Sequence, residues 1–375
     1  MLGAQKTVSH ALGFQCRMVQ RDSTVLTSTR PISDELRGQP TSRDRDRASF
    51  LRCCIDAATW LYTFGGYALA IYLVTRPGWG LPLVGVLLMT HTMILSALLT
   101  HECMHGTMGR SPALNAFLGR ATTLISGACY VPYTLLRRQH LNHHGNRVGY
   151  DGFSVARWVG SLPPPLRAVI IALEWCYFPV LSYIARVRSL VVPFLEERHR
   201  RLRKRIALVF LLRAGFYLVL FYISPWSWVG LFASHLAMLT ILRIYDCFHH
   251  TFDITSLGTS VQRLDGDHEQ RNTYSSLISS KHAWLNAIFL NYGYHNAHHA
   301  YPRAHWTELS KIDLELYPTS RVHCLHFGDL LHGYHRYRTT RIVKGLGRPK
   351  VVDGRLALDG YFGIIMNISF IVYDV

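Results

Sequence analysis

The chain has 375 residues, 49% of them hydrophobic and only 17% charged, with a mean hydropathy of +0.11. It is too apolar for an ordinary soluble domain of this length and too polar for a bundle of spans alone, so a membrane protein with a substantial soluble cap fits between the two. Lys and Arg outnumber Asp and Glu by 40 to 23, which suits loops held against an anionic cytoplasmic leaflet; the long apolar runs argue against a soluble nucleic-acid binder.

Residues 1–55 form a polar tail, and the first fifty are rich in Ser, Thr and Arg without hydrophobic periodicity. No apolar core of a signal peptide is present; an organelle transit peptide remains open, and disorder is the expectation. Apolar stretches at about 57–75 and 81–100 flank the short turn Arg76-Pro-Gly-Trp-Gly80, and each is long enough to span a bilayer core. A second pair follows at 206–223 and 228–245, separated by Ser224-Pro225-Trp226. Four crossings in two hairpins put both termini on one side. Residues 112–136 and 166–185 are moderately apolar. Were 112–136 a crossing, the motifs on either side of it could not meet; were 166–185 one, the arginines of 186–205 would lie outside. Both segments are therefore expected to lie in the interface. Arg213, within the third span, is expected to snorkel toward the cytoplasm. Residues 321–375 read as a basic tail whose apolar stretch 360–373 is too short to span. The basic run 198–205 reads as a solvated or headgroup-facing segment that could also dock an acidic electron donor.

Three short boxes carry the chemistry. His101-Glu-Cys-Met-His105 places two imidazoles at i and i+4, just past the second span. His140-Leu-Asn-His143-His144 and His295-Asn-Ala-His298-His299 place three each at i, i+3 and i+4. These offsets share a helical face, so each box points its imidazoles at one place. A fourth constellation, Asp246-Cys-Phe-His249-His250, leaves the last span; Asp246 and His250 are four apart and expected on one face, with His249 pointing elsewhere. So many neutral imidazoles exceed what zinc needs and suit two ions with four or five ligands each. Eight cysteines without a CxxC pair indicate neither a thiolate site nor a disulfide framework, and a reducing compartment is the default. His91 reads as a packed interface residue. His323, His326, His332 and His335, near Cys324, read as surface histidines, while Tyr301, His305 and Trp306 read as cap packing or headgroup contacts.

In this order and with these hairpins, HxxxH, HxxHH and HxxHH resemble the membrane fatty acid desaturases and related hydroxylases over residues 55–320; Arg243–Phe252 and Thr273–Pro302 look closest to the bacterial-type acyl desaturases. The resemblance implies an all-α integral membrane protein with a cytosolic helical cap and two iron ions. It implies as ligands His101, His105, His140, His143, His144, His295, His298 and His299, with His250 as a ninth and Asp246 where relatives carry a water-holding Asn. It further implies dioxygen as co-substrate and a lipid or acyl chain taken from the bilayer. The chain has no His-Pro-Gly-Gly haem motif, so electrons are expected from a separate ferredoxin, rubredoxin or cytochrome-type donor. Desaturation is the expected outcome, and hydroxylation on the same scaffold is the alternative. Two readings of other classes stay open. HExxH at 101–105 also fits a membrane zinc protease, although Ser111 stands where a third histidine would be in one branch of that group. The boxes could also load metal in a non-catalytic scaffold. Under the desaturase reading, Glu102 orients a histidine or faces solvent.

Overall fold

The computed structural model describes residues 42–151, 155–252, 254–256, 264–319 and 321–365. Helix α1 (Ser42–Val74) runs unbroken from the polar segment into the first apolar stretch, so the helix starts well ahead of residue 57. Residues 1–41, where disorder was expected, lie outside the described residues. Residues 75–79 join α1 to α2 (Gly80–His105), and the two helices pack against each other. The last turns of α2 carry the first box. Gly106, at φ +80°, ends the helix by donating its N–H to the carbonyls of Glu102 and Cys103, a left-handed closure that glycine adopts without strain.

Helix α3 (Pro112–Ser126) starts at Ser111, whose hydroxyl accepts the Leu114 N–H at 3.2 Å, with proline at the first helical position. Its 15 residues reach about 22 Å, short of a bilayer core of about 30 Å. Helix α4 (Tyr133–Asn146) carries the second box and closes at Arg147, in the left-handed region at φ +60°.

Helix α5 (Val155–Ser161) leads to α6 (Pro164–Trp175) and α7 (Val180–Leu195), which meet at 113°. The stretch 166–185 is therefore a cornered pair and not one segment. Glu174 holds the corner: it accepts the Leu181 N–H at 2.9 Å and forms a buried ion pair with Arg243 at 2.8 Å.

Helices α8 (Arg200–Ile223) and α9 (Trp226–Asp246) complete the long elements. Four segments, 50–74, 80–105, 197–223 and 226–246, are long and apolar enough to cross a membrane. Helix α8 turns Leu211, Leu212, Leu218 and Val219 outward, a surface suited to hydrocarbon and costly in water. The basic run around its start is largely spoken for. Arg198 pairs with Glu196, Arg200 and Arg203 pair with Glu197, and Arg205 donates to the carbonyls of Cys129 and Tyr130 at 2.7 and 2.9 Å. Arg213, expected to reach toward the cytoplasm, is held by neighbouring groups. It turns inward, donating to the Leu124 carbonyl at 2.6 Å and to the Tyr217 hydroxyl.

The described residues are chiefly helical, in line with the helical expectation, and among them are also three two-stranded ribbons of three-residue strands. β1 (Gly149–Asp151) pairs in parallel with β2 (Ile254–Ser256), and β3 (Ser275–Leu277) in parallel with β4 (Cys324–His326), while β5 (Lys350–Val352) and β6 (Arg355–Ala357) are antiparallel. Strands of three residues show no readable alternation, so sequence pattern misses them. Among them lie α10 (Gly266–Arg271), α11 (His295–Ala300) with the third box, α12 (Leu309–Leu316), α13 (Phe327–Tyr337) and α14 (Thr340–Lys344). The C-terminal segment folds back under the end of α9. Ile364 donates its N–H to Cys247 at 2.7 Å, and Tyr361 its hydroxyl to the His250 carbonyl at 2.8 Å. The main core, including Met89, Ile94, Leu99, Met104, Leu136 and Met238, lies directly beside the boxes.

Candidate metal centre

The nine histidines come together in two abutting groups. His101, His105, His140, His144 and His298 bring one ring nitrogen each within 4.8 Å of the others, and His143, His250 and His299 do the same next to them. His295 joins the second group through its Nε2, 2.8 Å from that of His250. The groups touch where the rings of His144 and His299 stack at 4.1 Å.

The boxes do not each point at a single place, as their spacing suggested. The second box sends His140 and His144 to the five-histidine group and His143 to the four-histidine group. The third box does the reverse, sending His295 and His299 to the four and His298 to the five. The first box, at the end of α2, adds His101 and His105 to the five.

Hydrogen-bond partners fix which nitrogen is bare. Nδ1 of His101 faces Glu102 at 3.2 Å, that of His143 the Val148 carbonyl at 2.9 Å, and that of His299 Glu269 at 2.9 Å. Carboxylates and carbonyls only accept, so each Nδ1 carries the hydrogen and each Nε2 presents a lone pair. Nε2 of His101 and His299 is buried without any hydrogen-bond partner among the described residues. The other rings of the five crowd Nε2 against Nε2, 2.7 Å for His105–His140 and 3.2 Å for His140–His144 and His144–His298. Ring nitrogens this close share a proton or hold a cation between them, and an all-imidazole donor set suits a borderline transition metal better than calcium or magnesium. Burial and neighbouring imidazoles hold His140, His144, His250, His295, His298 and His299 well below the usual histidine pKa, so they are neutral and free to donate. His143 is lowered too, mainly by burial, against the pull of the Val148 carbonyl and the Asp246 charge.

Outer partners complete the centre. Glu269, from α10, also pairs with Arg147 at 2.6 Å, tying the end of the second box to the third. The far oxygen of Glu102 accepts from Thr107 at 2.8 Å. Glu102 is thus engaged with Nδ1, on the side of His101 away from Nε2, which is not how a zinc protease presents its base. Asn296, fully buried, donates to the Thr273 carbonyl at 2.7 Å, and Gly293 lets the third box approach the next layer, because a Cβ there would sit 2.0 Å from the Ser276 carbonyl oxygen.

Asp246 departs from expectation. Helix α9 ends at this residue, so the following turn brings His249 to it and not His250: His249 Nδ1 lies 3.0 Å from Oδ1, which also accepts from the Tyr292 hydroxyl at 2.9 Å. Oδ2 is buried without a hydrogen-bond partner among the described residues. His249 itself is fully buried and stacks on His295 at 4.2 Å; it belongs to neither converging group but forms part of the wall. Tyr292 lies edge-on to His101, of the five, and to His295, of the four, at 5.2 and 5.3 Å. Glu269 and Tyr361 escape sequence reasoning because they lie far along the chain from the groups they meet, and Tyr292 and Arg147, though they flank the third and second boxes at helical offsets, are not histidines and so fall outside the box pattern.

The other histidines weighed from the sequence stay outside. His91 bridges the Tyr62 hydroxyl and the Ile288 carbonyl at a helix interface. His305 pairs with Asp56, and His323 with Asp313. His335 meets the Tyr177 hydroxyl, while His326 and His332 are exposed. Compared with curated proteins, the chain finds no match. A fatty acid desaturase family model matches residues 77–330, a stretch that contains all nine converging histidines together with Asp246 and Glu269, and on that ground the chain belongs to the fatty acid desaturase family.

Proposed function

We propose that the protein is a di-iron, oxygen-dependent desaturase that introduces a double bond into the acyl chain of a fatty acid or lipid. Membership of the family already makes it an oxidoreductase. The observation that carries the reading further is the convergence of nine imidazoles on two adjacent points, five on one and four on the other. His101, His105, His140, His144 and His298 would hold one iron, and His143, His250, His295 and His299 the second. Bound there, the metals supply, with dioxygen and outside electrons, the power to cleave an unactivated C–H bond that side chains alone lack.

The protein's own residues set the stage for that chemistry. Glu102 and Glu269 fix ring orientation and keep Nε2 bare, and Asp246, with its free Oδ2, is suited to hold a water beside the site. Two membrane hairpins with the boxes on the cytoplasmic side account for the four apolar helices and the excess of Lys and Arg. The acyl chain would enter from the leaflet, and a separate ferredoxin, rubredoxin or cytochrome-type donor would supply electrons. Hydroxylation differs only in how the substrate radical ends and uses the same residues.

The test is elemental analysis of detergent-purified protein, wild type beside His298→Ala, followed by acyl-chain profiling of an expressing host. About two irons per chain, fewer in the variant, and new double bonds in the host are expected. Hydroxylated chains would reassign the outcome to hydroxylation. A single zinc, insensitive to His298→Ala but lost with His105→Ala, would overturn the reading.

A further inference from the structure

We propose that the protein binds the anionic head of a lipid at a cationic cluster centred on Gly127, between α3, α7, α8 and α9. A Cβ placed on Gly127 would lie 3.1 Å from Arg186 Nη1, 3.2 Å from His235 Nε2 and 3.7 Å from Arg213 Nη2. Three side chains from three helices thus bring nitrogens to one point, opposite a residue with no side chain to fill it. Gly127 has a backbone reason to be glycine, since it closes α3 at φ +76°. That reason does not explain why two guanidinium groups meet there.

The groups around the point are donors and phenols. Tyr183 holds His235 Nδ1 at 3.2 Å, and Tyr217 meets Arg213. Among the described residues, no ion pair involves Arg186 or Arg213. Arg213 has a structural use, because it donates to the Leu124 carbonyl in the last turn of α3. Arg186 has none of this kind: its Nε and Nη1 are buried with no hydrogen-bond partner among the described residues. Guanidinium stays charged in proteins, and a buried donor left unpaired is costly. Two cations, side by side and without a carboxylate among the described residues, one of them with unpaired donors, call for an anion that those residues do not provide.

The setting selects an amphipathic ligand. Arg213 lies two turns or more beyond Arg205 along an apolar helix whose outer face is Leu211, Leu212 and Leu218. An anion reaching this depth is most readily delivered on an acyl chain, as the carboxylate of a fatty acid or the phosphate of a phospholipid. The cluster includes none of the nine histidines, so the proposal stands independently of which metals they hold.

The test uses full-length protein stripped of lipid in a neutral maltoside detergent. Its thermal unfolding midpoint is followed during titration with oleate, phosphatidylglycerol or, as uncharged control, monoolein. A saturable rise with oleate or phosphatidylglycerol but not monoolein is expected, and whichever anion acts assigns carboxylate or phosphate. Arg186→Gln should weaken the apparent affinity by about tenfold or more, as loss of a charge-assisted bidentate contact does. The same variant should leave the lipid-free midpoint unchanged or raised, because it removes an unpaired buried charge; a purely structural arginine would lower it. Should Arg186→Gln fail to fold, Arg186→Lys decides: weakened affinity supports the site, and wild-type affinity overturns it. Equal responses to all three lipids, or an unaltered response in Arg186→Gln, also overturn it.

Discussion

On the proposed two-metal reading, replacing Glu269 by glutamine should loosen one metal and spare the other. Glu269 is 5% exposed and faces two donors, His299 Nδ1 at 2.9 Å and Arg147 Nε at 2.6 Å. A carboxamide keeps the volume but has one acceptor oxygen for two donors, so either His299 loses the partner that fixes its tautomer or Arg147 is left unpaired. Losing such an outer carboxylate costs about 10–100-fold in metal affinity, or about 1.4–2.7 kcal/mol. The four-histidine group contains His299, so the effect should fall there. Glu102→Gln should act instead on the five-histidine group, and more weakly, because its contact with His101 is longer at 3.2 Å. The assay is iron retained per chain against increasing chelator. Wild type should release metal in steps; Glu269→Gln should shift one step by one to two decades in chelator and leave the other in place. Deleting one partner of a buried ion pair outright costs about 3–5 kcal/mol, which is why glutamine and not alanine is the informative change. If both steps shift together, or Glu102→Gln and Glu269→Gln give the same curve, the assignment of separate orienting carboxylates is wrong.

Three further outcomes follow from the packing. Gly293→Ala pushes a Cβ against the Ser276 carbonyl oxygen and the Tyr245 hydroxyl, at 2.0 and 2.3 Å, and should cost about 1–3 kcal/mol, read as a lowered unfolding midpoint. Arg243→Met leaves Glu174 as a lone buried charge and should cost about 3–5 kcal/mol, whereas Arg243→Met with Glu174→Met should recover much of that; a double variant no better than the single would show that the cost comes from losing the hold on the corner between α6 and α7 and not from a lone buried charge. The histidines held below their ordinary pKa give a pH dependence of definite sign. The unfolded chain takes up protons near pH 6.5 while these folded imidazoles do not, so stability is full above that pH and falls as pH drops below it. Metal-free protein should therefore unfold at progressively lower temperature from pH 7.5 to 5.5, and a flat profile would contradict the buried, neutral assignment.

The parts of this centre visible in the sequence are those that repeat at helical offsets. His101 and His105, and the two HxxHH boxes, lie on helices as their spacing requires, and the apolar stretches lie within the four long helices. What escaped depends on where the chain turns. The expectation that Asp246 and His250 share a helical face assumed that α9 continues, but the helix stops at Asp246 and the turn brings in His249. Arg147 and Glu269 lie 122 positions apart, and Tyr361 and His250 111 apart, so no local pattern marks either contact. The ribbon of β3 and β4 and the corner at Glu174 likewise depend on long-range backbone pairing and on a buried charge.

The opposite division of offsets by the second and third boxes bears on distance. His143 and His144 are neighbours in the chain, yet they serve different groups, and so do His298 and His299. Their rings lie 5.5 and 5.7 Å apart. The gap between the two centres is therefore bridged twice by a single peptide unit, one on α4 and one on α11, and not by the packing of helices across a lipid-facing fold. Bending or tilting of the long helices under changes in bilayer thickness can carry the whole centre along, but it has little purchase on the spacing inside. A ruler made of covalent bonds keeps its length while the membrane around it breathes.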